Sequence, residues 1–122
     1  MAYTNPSTIL VIANEPLIQT LMCSLVDLSG HRALQPRSDE TVTAAIARVR
    51  PQLLLLDCDH DCACEEAAYE AAATVGAEVL LFTPARTNAE VADFARGRGL
   101  RSMALPIRLH EFSETLQTSL RA

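Results

Sequence analysis

The chain places an aspartate, Asp57, directly after a run of four leucines at residues 53–56. A short apolar run of this kind is typical of a strand buried on both faces of a parallel sheet. The carboxyl end of such a strand is where an α/β protein usually binds its ligand or carries out its chemistry. One chemistry at such a carboxylate requires a nearby ammonium group, and the chain has arginines but no lysine. Asp57 is therefore the first candidate site residue.

The segment that follows, residues 57–66, combines three thiols, one imidazole and several carboxylates. Cys58 and Cys62 have an acceptable spacing for zinc, with His60 or Cys64 as further ligands. Thiols at a helix N-terminus can also be reactive, so a reversible Cys58–Cys62 disulfide is a second interpretation. The third interpretation is a solvated acidic loop that opens a helix, with its cysteines half-buried. We favour the third, because structural zinc sites usually join two Cys/His pairs and the sequence offers one cluster.

Composition narrows the class of protein. The 122 residues are enough for one domain, and 49% hydrophobic with 20% charged residues is a soluble globular composition. A net charge of −5 argues against direct nucleic-acid binding, which needs clustered positive charge. The apolar runs are too short for a transmembrane helix, and no signal peptide is evident. We therefore expect a cytoplasmic protein without membrane contact, whose four cysteines are reduced.

The elements that position Asp57 follow from the alternation of short apolar runs with longer amphipathic segments. Five strands are predicted, at residues 8–13, 31–35, 52–56, 77–82 and 100–105. A helix follows each strand, and the predicted starts are Pro16, a cap at Ser38 or Asp39, a cap at Asp61 before residues 64–75, a cap at Asn88, and Leu109 or His110. This alternation predicts an α/β protein with a doubly wound, five-stranded parallel sheet and helices on both faces. We expect one domain at residues 8–121 after a short N-terminal tail at residues 1–7.

Polar residues that leave the carboxyl ends of these strands are expected to form the site. The loops concerned contain residues 13–15, 57–59, 83–84 and 105–106. Thr83 is also consistent with an ordinary β-branched strand residue, and Asn14 with a turn or cap residue. The isolated histidines His31 and His110 are expected at the surface, and Arg98 is expected on a solvated helix face.

Four segments, in this order and at this spacing, resemble a response-regulator receiver domain over residues 8–120. Residues 9–16 match its first strand and loop, and residues 51–57 match the strand that ends in the phosphorylated aspartate. Residues 80–83 match the fourth strand with its hydroxyl residue, and residues 106–112 match the stretch after a Lys-Pro pair. The resemblance implies a (βα)5 flavodoxin-like fold. It also implies a stand-alone signalling module of a two-component phosphorelay that is not an enzyme.

The resemblance assigns roles to individual residues of this chain. It makes Asp57 the phospho-acceptor for a partner histidine kinase and Thr83 a phosphate-binding residue. It also implies a Mg²⁺ site at the same edge of the sheet. The candidate ligands are Asp57, Asn14, Glu15 and Asp59.

The chain departs from the family pattern at several of these positions. Ala13 and Asn14 stand where two acids are expected, and Leu105 stands at the lysine position. Each loss is expected to weaken the site by roughly a few kcal/mol. We therefore predict an atypical receiver with an impaired Mg²⁺ and phosphate site, which acts by protein–protein interaction.

The expected contact surface is the face of the fourth helix, fifth strand and fifth helix, through which the family forms homodimers and binds signalling partners. A thiol- or metal-responsive sensor that uses residues 58–64 on the same fold is the alternative. A flavin-binding protein is disfavoured, because residues 14–17 lack the glycine, serine and threonine that cradle a phosphate.

Overall fold

The computed structural model describes residues 7–83, 88–103, 105 and 107–121. The strands are β1 (Thr8–Ile12), β2 (Arg32–Leu34), β3 (Leu53–Asp57), β4 (Glu78–Phe82) and β5 (Arg101–Ser102). The helices are α1 (Pro16–Leu28), α2 (Val42–Val49), α3 (Glu66–Thr74), α4 (Asn88–Gly97) and α5 (Leu109–Leu120), and a 3₁₀ turn at Asp61–Cys64 precedes α3. No helix within the described ranges is long and apolar enough to cross a membrane.

The strands form one parallel sheet in the order β2-β1-β3-β4-β5. This confirms the predicted five-stranded parallel sheet of an α/β protein. β3 lies at its centre, and all five of its residues are buried. Asp57 is therefore carried to the carboxyl edge of the sheet by a strand with neighbours on both sides.

Side chains alternate along the strands between two separate cores, as the two-residue period of a strand requires. One core joins the sheet to α1 and α5 through residues that include Leu55, Met22 and Phe112. The other joins it to α2, α3 and α4 and includes Leu54, Ile46 and Ala72. The predicted doubly wound architecture, with helices on both faces, is confirmed.

α2 starts later than the sequence predicted. Its cap is Thr41, whose side chain accepts a hydrogen bond from the Ala44 N–H, so the predicted caps at Ser38 and Asp39 are wrong. The reason is a turn before the helix. There the Glu40 carboxylate accepts from the Arg37 N–H at 3.0 Å and pairs with Arg48 at 2.7 Å.

The segment before α3 also differs from the prediction. The His60 Nδ1 atom, rather than Asp61, accepts from the Cys62 N–H at 3.2 Å and caps the 3₁₀ turn. α3 then begins at Glu66 instead of Cys64. The tighter turn places Cys62 and Ala63 in the core, where they are 5% and 0% exposed. The interruption of the helix thus coincides with the burial of two small side chains.

The edges of the sheet correct two further expectations. β5 comprises two residues rather than the predicted six, and residues 104 and 106 lie outside the described part of the chain. The side chain of Asn88, the predicted cap of α4, also lies outside it. His31 is buried rather than at the surface, and its Nδ1 atom accepts from the Ser7 N–H at 3.2 Å. Burial lowers the pKa of His31. The Ser7 carbonyl accepts a hydrogen bond from the Arg32 N–H, so this residue of the predicted tail is joined to the domain. The rest of the predicted tail, residues 1–6, lies outside the described residues.

Candidate functional site

The Asp57 carboxylate is buried at the carboxyl end of β3 and is held by backbone N–H groups. One oxygen, Oδ2, accepts from the Asn14 N–H at 3.1 Å, and the other, Oδ1, accepts from the Asp59 N–H at 2.9 Å. The side chain is thus fixed from two directions, by the loop after β1 and by the loop after its own strand. Each oxygen of this nearly inaccessible residue (2% exposed) has a donor.

A second carboxylate, Asp59, lies two residues further along the same loop. Its Oδ2 atom accepts a hydrogen bond from the Thr83 hydroxyl at 2.7 Å, and Thr83 is buried. The two meet because the Cys58 N–H donates to the Phe82 carbonyl at 2.8 Å, which extends the pairing of β3 with β4 beyond Asp57. Asp57, Asp59 and Thr83 therefore form one connected group at the edge of the sheet.

Gln19 is a residue of this site that the sequence did not reveal. Its Oε1 atom accepts from the Ala13 N–H at 2.8 Å, and its Nε2 atom donates to the Val11 carbonyl at 2.7 Å. The side-chain amide thereby pairs with the end of β1 as another strand would. This fixes the backbone that presents the Asn14 N–H to Asp57. A lone glutamine in an apolar helix gives no sequence signal for this role.

The structure does not bring the Asn14 and Glu15 side chains into this group. Both residues are exposed, and Asn14 contributes its backbone N–H rather than its amide oxygen. Glu15 is the N-cap of α1 and makes no side-chain capping bond. Of the predicted ligands, Asp57 and Asp59 lie next to each other, while Asn14 and Glu15 present their side chains to solvent.

Solved structures with the same fold superpose on almost the whole length of this chain. A response regulator from Thermotoga maritima superposes with a TM-score of 0.75 at 11% identity, covering 96% of this chain and 99% of that one. The chain has the fold of a response-regulator receiver domain. The sequence matches no family model and no curated protein.

Two other solved structures with this fold come from proteins of different kinds. The receiver domain of a sensor histidine kinase from Pseudomonas aeruginosa, solved with magnesium coordinated in its active-site cleft, gives a TM-score of 0.74 at 17% identity, covering 96% of this chain and 99% of that one. A protein from Burkholderia pseudomallei described as pilus assembly-related gives 0.70 at 19% identity, covering 99% of this chain and 94% of that one. At these identities the comparison establishes the fold alone.

The receiver fold raises the question whether this pocket fits Mg²⁺, which prefers six oxygen ligands in a near-octahedral arrangement. The fit is poor. Each Asp57 oxygen accepts a backbone hydrogen bond and one Asp59 oxygen accepts from Thr83, which reduces the number of lone pairs left for a cation. Within residues 7–83, 88–103, 105 and 107–121, no three His, Cys, Asp or Glu side chains are grouped so that they could hold a metal ion.

The thiols of the neighbouring loop are in different environments. Cys58 and Cys62 are buried rather than half-buried, whereas Cys64 is exposed. Burial, reinforced by the carboxylates of Glu65 and Asp61, raises the pKa of Cys62 to about 12. A thiol with this pKa stays protonated near neutral pH, which is the opposite of an activated cysteine. No disulfide joins Cys58, Cys62 or Cys64 in this structure, which has the loop in its reduced form.

We expect iodoacetamide at pH 8 to alkylate Cys64 first and to leave Cys62 unmodified until the protein unfolds, because the reagent needs an accessible thiolate. Peptide mass spectrometry after timed quenching measures the rate at each cysteine. In Cys64→Ser the fast phase should disappear, and adding guanidinium should expose the remaining thiols. Fast modification of Cys62 in the folded protein would contradict this and favour the thiol-sensor alternative.

Arg98 links the end of α4 to the segment after β3. Its guanidinium lies 4.4 Å from the centroid of the Tyr69 ring and donates to the Glu66 carboxylate at 2.9 Å. The Tyr69 hydroxyl in turn donates to the Ala63 carbonyl at 2.6 Å. Burial raises the pKa of Tyr69 to about 12, so this donor stays protonated. Arg98 is thus a packed side chain rather than the solvated one expected from the sequence.

Proposed function

We propose that this chain is a receiver-type signalling module that acts through protein contacts, with a pocket held by its own hydrogen bonds instead of by Mg²⁺ and a phosphoryl group. The observation that carries the proposal is the double backbone clamp on the buried Asp57 carboxylate. The absence of lysine from the sequence supports it, because no ammonium is present to neutralise a phosphoryl-aspartate.

The Asp59–Thr83 hydrogen bond extends this proposal. The resemblance to receivers gives Thr83 the role of binding the phosphoryl group on the aspartate. Here its hydroxyl already donates to a carboxylate of the same loop at 2.7 Å. Asp59 thus supplies a resident anion for Thr83. A pocket built in this way has the same contacts whether or not a kinase is active.

The partner in this proposal is a histidine kinase or another signalling protein that recognises the surface of the domain. The net charge of −5 disfavours direct binding to nucleic acid, and a cytoplasmic location suits such a partner. The domain boundaries at residues 8 and 121 remain a prediction. The module itself performs no catalysis in this proposal.

The proposal is tested by incubating the protein with Mg²⁺ and acetyl phosphate and recording the intact mass. We expect no phosphoryl adduct on the natural chain, because the charges that would bind the metal and neutralise the product are missing. The variant Asn14→Asp/Leu105→Lys restores one acid and one ammonium at the positions that the family resemblance assigns to them. We expect that variant to gain an adduct that is lost again when Asp57→Ala is added.

Two outcomes would contradict the proposal. One is a stable adduct on the natural chain that disappears in Asp57→Ala, since this would show a working phospho-acceptor. The other is saturable Mg²⁺ binding by the natural chain at low millimolar concentration, measured by calorimetry. Circular dichroism of each variant verifies that the fold is retained.

A further inference from the structure

A small pocket lies between β5 and α5, at the edge of the sheet opposite to Asp57. It has a volume of about 310 Å³, and the residues that line it are Arg101, Ser102, Thr115, Thr118 and Ser119. Arg101 is the first residue of β5, whereas Asp57 is the last residue of β3. Because the strands are parallel, their first and last residues lie at opposite edges of the sheet. The pocket is therefore separate from the candidate site described above.

Ser119 is a polar residue at a core position of α5. It is 1% exposed, and it follows the buried Leu116 and Phe112 by three and seven residues, which places all three on one side of the helix. An apolar side chain would be expected at this position. The Ser119 hydroxyl has no hydrogen-bond partner in the described part of the chain, and a buried hydroxyl in this state destabilises a fold. Ser119 thus holds a hydrogen-bonding group that the fold itself does not use.

The two threonines of the pocket differ from Ser119. The Thr115 hydroxyl donates to the Glu111 carbonyl at 2.8 Å, and the Thr118 hydroxyl donates to the Glu114 carbonyl at 2.9 Å. Their protons are used within the helix, and each oxygen keeps a lone pair that can accept a hydrogen bond. The proton of the Ser119 hydroxyl is not used in this way. α5 therefore offers a ligand one hydroxyl donor beside two hydroxyl acceptors.

Arg101 adds a positive charge on the other side of the pocket. The pairing of β5 with β4 continues to Met103, and the two-residue period of a strand directs Arg101 and Met103 to the same face, where Met103 packs with Leu116 of α5. Arg101 is exposed and has no ion pair with a carboxylate among the described residues, unlike Arg96 and Arg98. The negative end of the α5 dipole explains an arginine at this place, but it does not explain the buried hydroxyl beside it.

We infer that the pocket between β5 and α5 binds inorganic phosphate. A phosphate oxygen accepts charge-assisted hydrogen bonds from a guanidinium, and the Ser119 hydroxyl can donate to another oxygen of the same ion. Near neutral pH inorganic phosphate also carries a P–OH group, which can donate to a threonine oxygen. Sulfate has the same shape but no such donor, so the two threonines favour phosphate over sulfate. Asp57 has no part in this site, and the inference is independent of the proposed function.

Burial and charge set the expected form and strength of binding. Ser119 lines the pocket but its hydroxyl is buried, so a ligand reaches it only by entering the pocket fully, which suits a compact free ion. The net charge of −5 opposes the approach of an anion, and a single arginine supplies the local attraction. We therefore expect a dissociation constant of about 1 mM.

An NMR titration of the ¹⁵N-labelled chain with sodium phosphate at pH 7 measures the binding, with sodium chloride at matched ionic strength as the reference. We expect saturable shifts of the amide signals of residues 101–103 and 115–119, and sulfate should bind at least about fivefold more weakly. Arg101→Gln should weaken phosphate binding roughly tenfold. Arg96→Gln changes the net charge by the same amount at an exposed position of α4 and should leave the affinity within about twofold.

Ser119→Ala separates the role of the hydroxyl from that of the charge. We expect this variant to bind phosphate about threefold or more weakly. In the absence of phosphate it should unfold at a higher urea concentration than the natural chain, because it lacks the unsatisfied buried hydroxyl. Phosphate should in turn raise the unfolding midpoint of the natural chain more than that of the variant.

Three results would overturn the inference. One is the absence of saturable shifts at phosphate concentrations up to about 50 mM. Another is equal affinity for phosphate and sulfate, or an affinity for phosphate that Arg101→Gln and Ser119→Ala leave unchanged. The third is a set of shifts confined to the loops after β1 and β3, since that would assign the ion to the Asp57 pocket. Circular dichroism verifies that each variant keeps the fold.

Discussion

Leu55→Ala is expected to lower the free energy of unfolding by about 3 to 5 kcal/mol. Leu55 is fully buried in the central strand, and its side chain belongs to the core that includes Met22, Phe82 and Phe112. The truncation removes apolar contacts and leaves a cavity that the neighbouring strands, β1 and β4, are too constrained to fill. Urea unfolding followed by circular dichroism gives the change directly.

Leu17→Ala is the matched control, because it is the same chemical change at a position that is 76% exposed. We expect it to change the free energy of unfolding by less than about 0.5 kcal/mol, and alanine's helix propensity acts in its favour. Both unfolding curves are recorded at the same low protein concentration. Similar losses for the two variants would mean that β3 is not the centre of the sheet, or that Leu17 is covered in solution.

Asp57→Ala is expected to cost about 2 to 3 kcal/mol of stability. The Asn14 and Asp59 N–H groups each lose an acceptor, and the residue they surround is 2% exposed, so water replaces the carboxylate poorly. The direction of the change is the informative part. Asp59 is a second carboxylate in the same loop, so Asp57→Ala also removes the repulsion between the two, and we expect the loss of two backbone hydrogen bonds to outweigh that gain. In the pocket proposed here, the carboxylate is a structural acceptor and its removal destabilises.

The measurement is again the urea unfolding curve, with Asp39→Ala as the control because Asp39 is an exposed acid. Asp57→Asn adds a second comparison, since it keeps one oxygen acceptor but sets an amide N–H₂ group against a backbone N–H. We expect it to destabilise as well. An increase in stability for both Asp57 variants, with no change for Asp39→Ala, would contradict the structural role.

The sheet could be predicted because its residues report their surroundings locally. Leu53, Leu54, Leu55 and Leu56 point alternately into two cores, and an uninterrupted apolar strand is what two covered faces require. The bounds of β5 are harder to predict, because at the edge of the sheet Arg101 is exposed and Ser102 is only partly buried. The burial of His31 could not be predicted from its neighbours in sequence, because its hydrogen-bond partner is the Ser7 backbone, 24 residues away.

The positions of the candidate site residues could be predicted from the sequence, but their hydrogen-bond partners could not. Strand ends alone place Asp57, Asp59 and Thr83 at one edge of the sheet. Which groups satisfy which oxygens depends on distances that only the packed loops determine. Gln19 is the clearest case, because its two bonds go to backbone atoms of β1, and the docking of α1 decides whether the side chain reaches them.

The edge strands also bear on how the protein behaves at high concentration. β2 has three residues and β5 has two, and each begins with an arginine. Such short, charged edges offer little unpaired backbone to which a strand of another molecule could add. The apolar segments suited to cross-β assembly are β1 and β3, and each lies between two other strands in the folded state. Aggregation should therefore require unfolding first, and variants that destabilise the core should aggregate at lower temperature in proportion to their loss of stability.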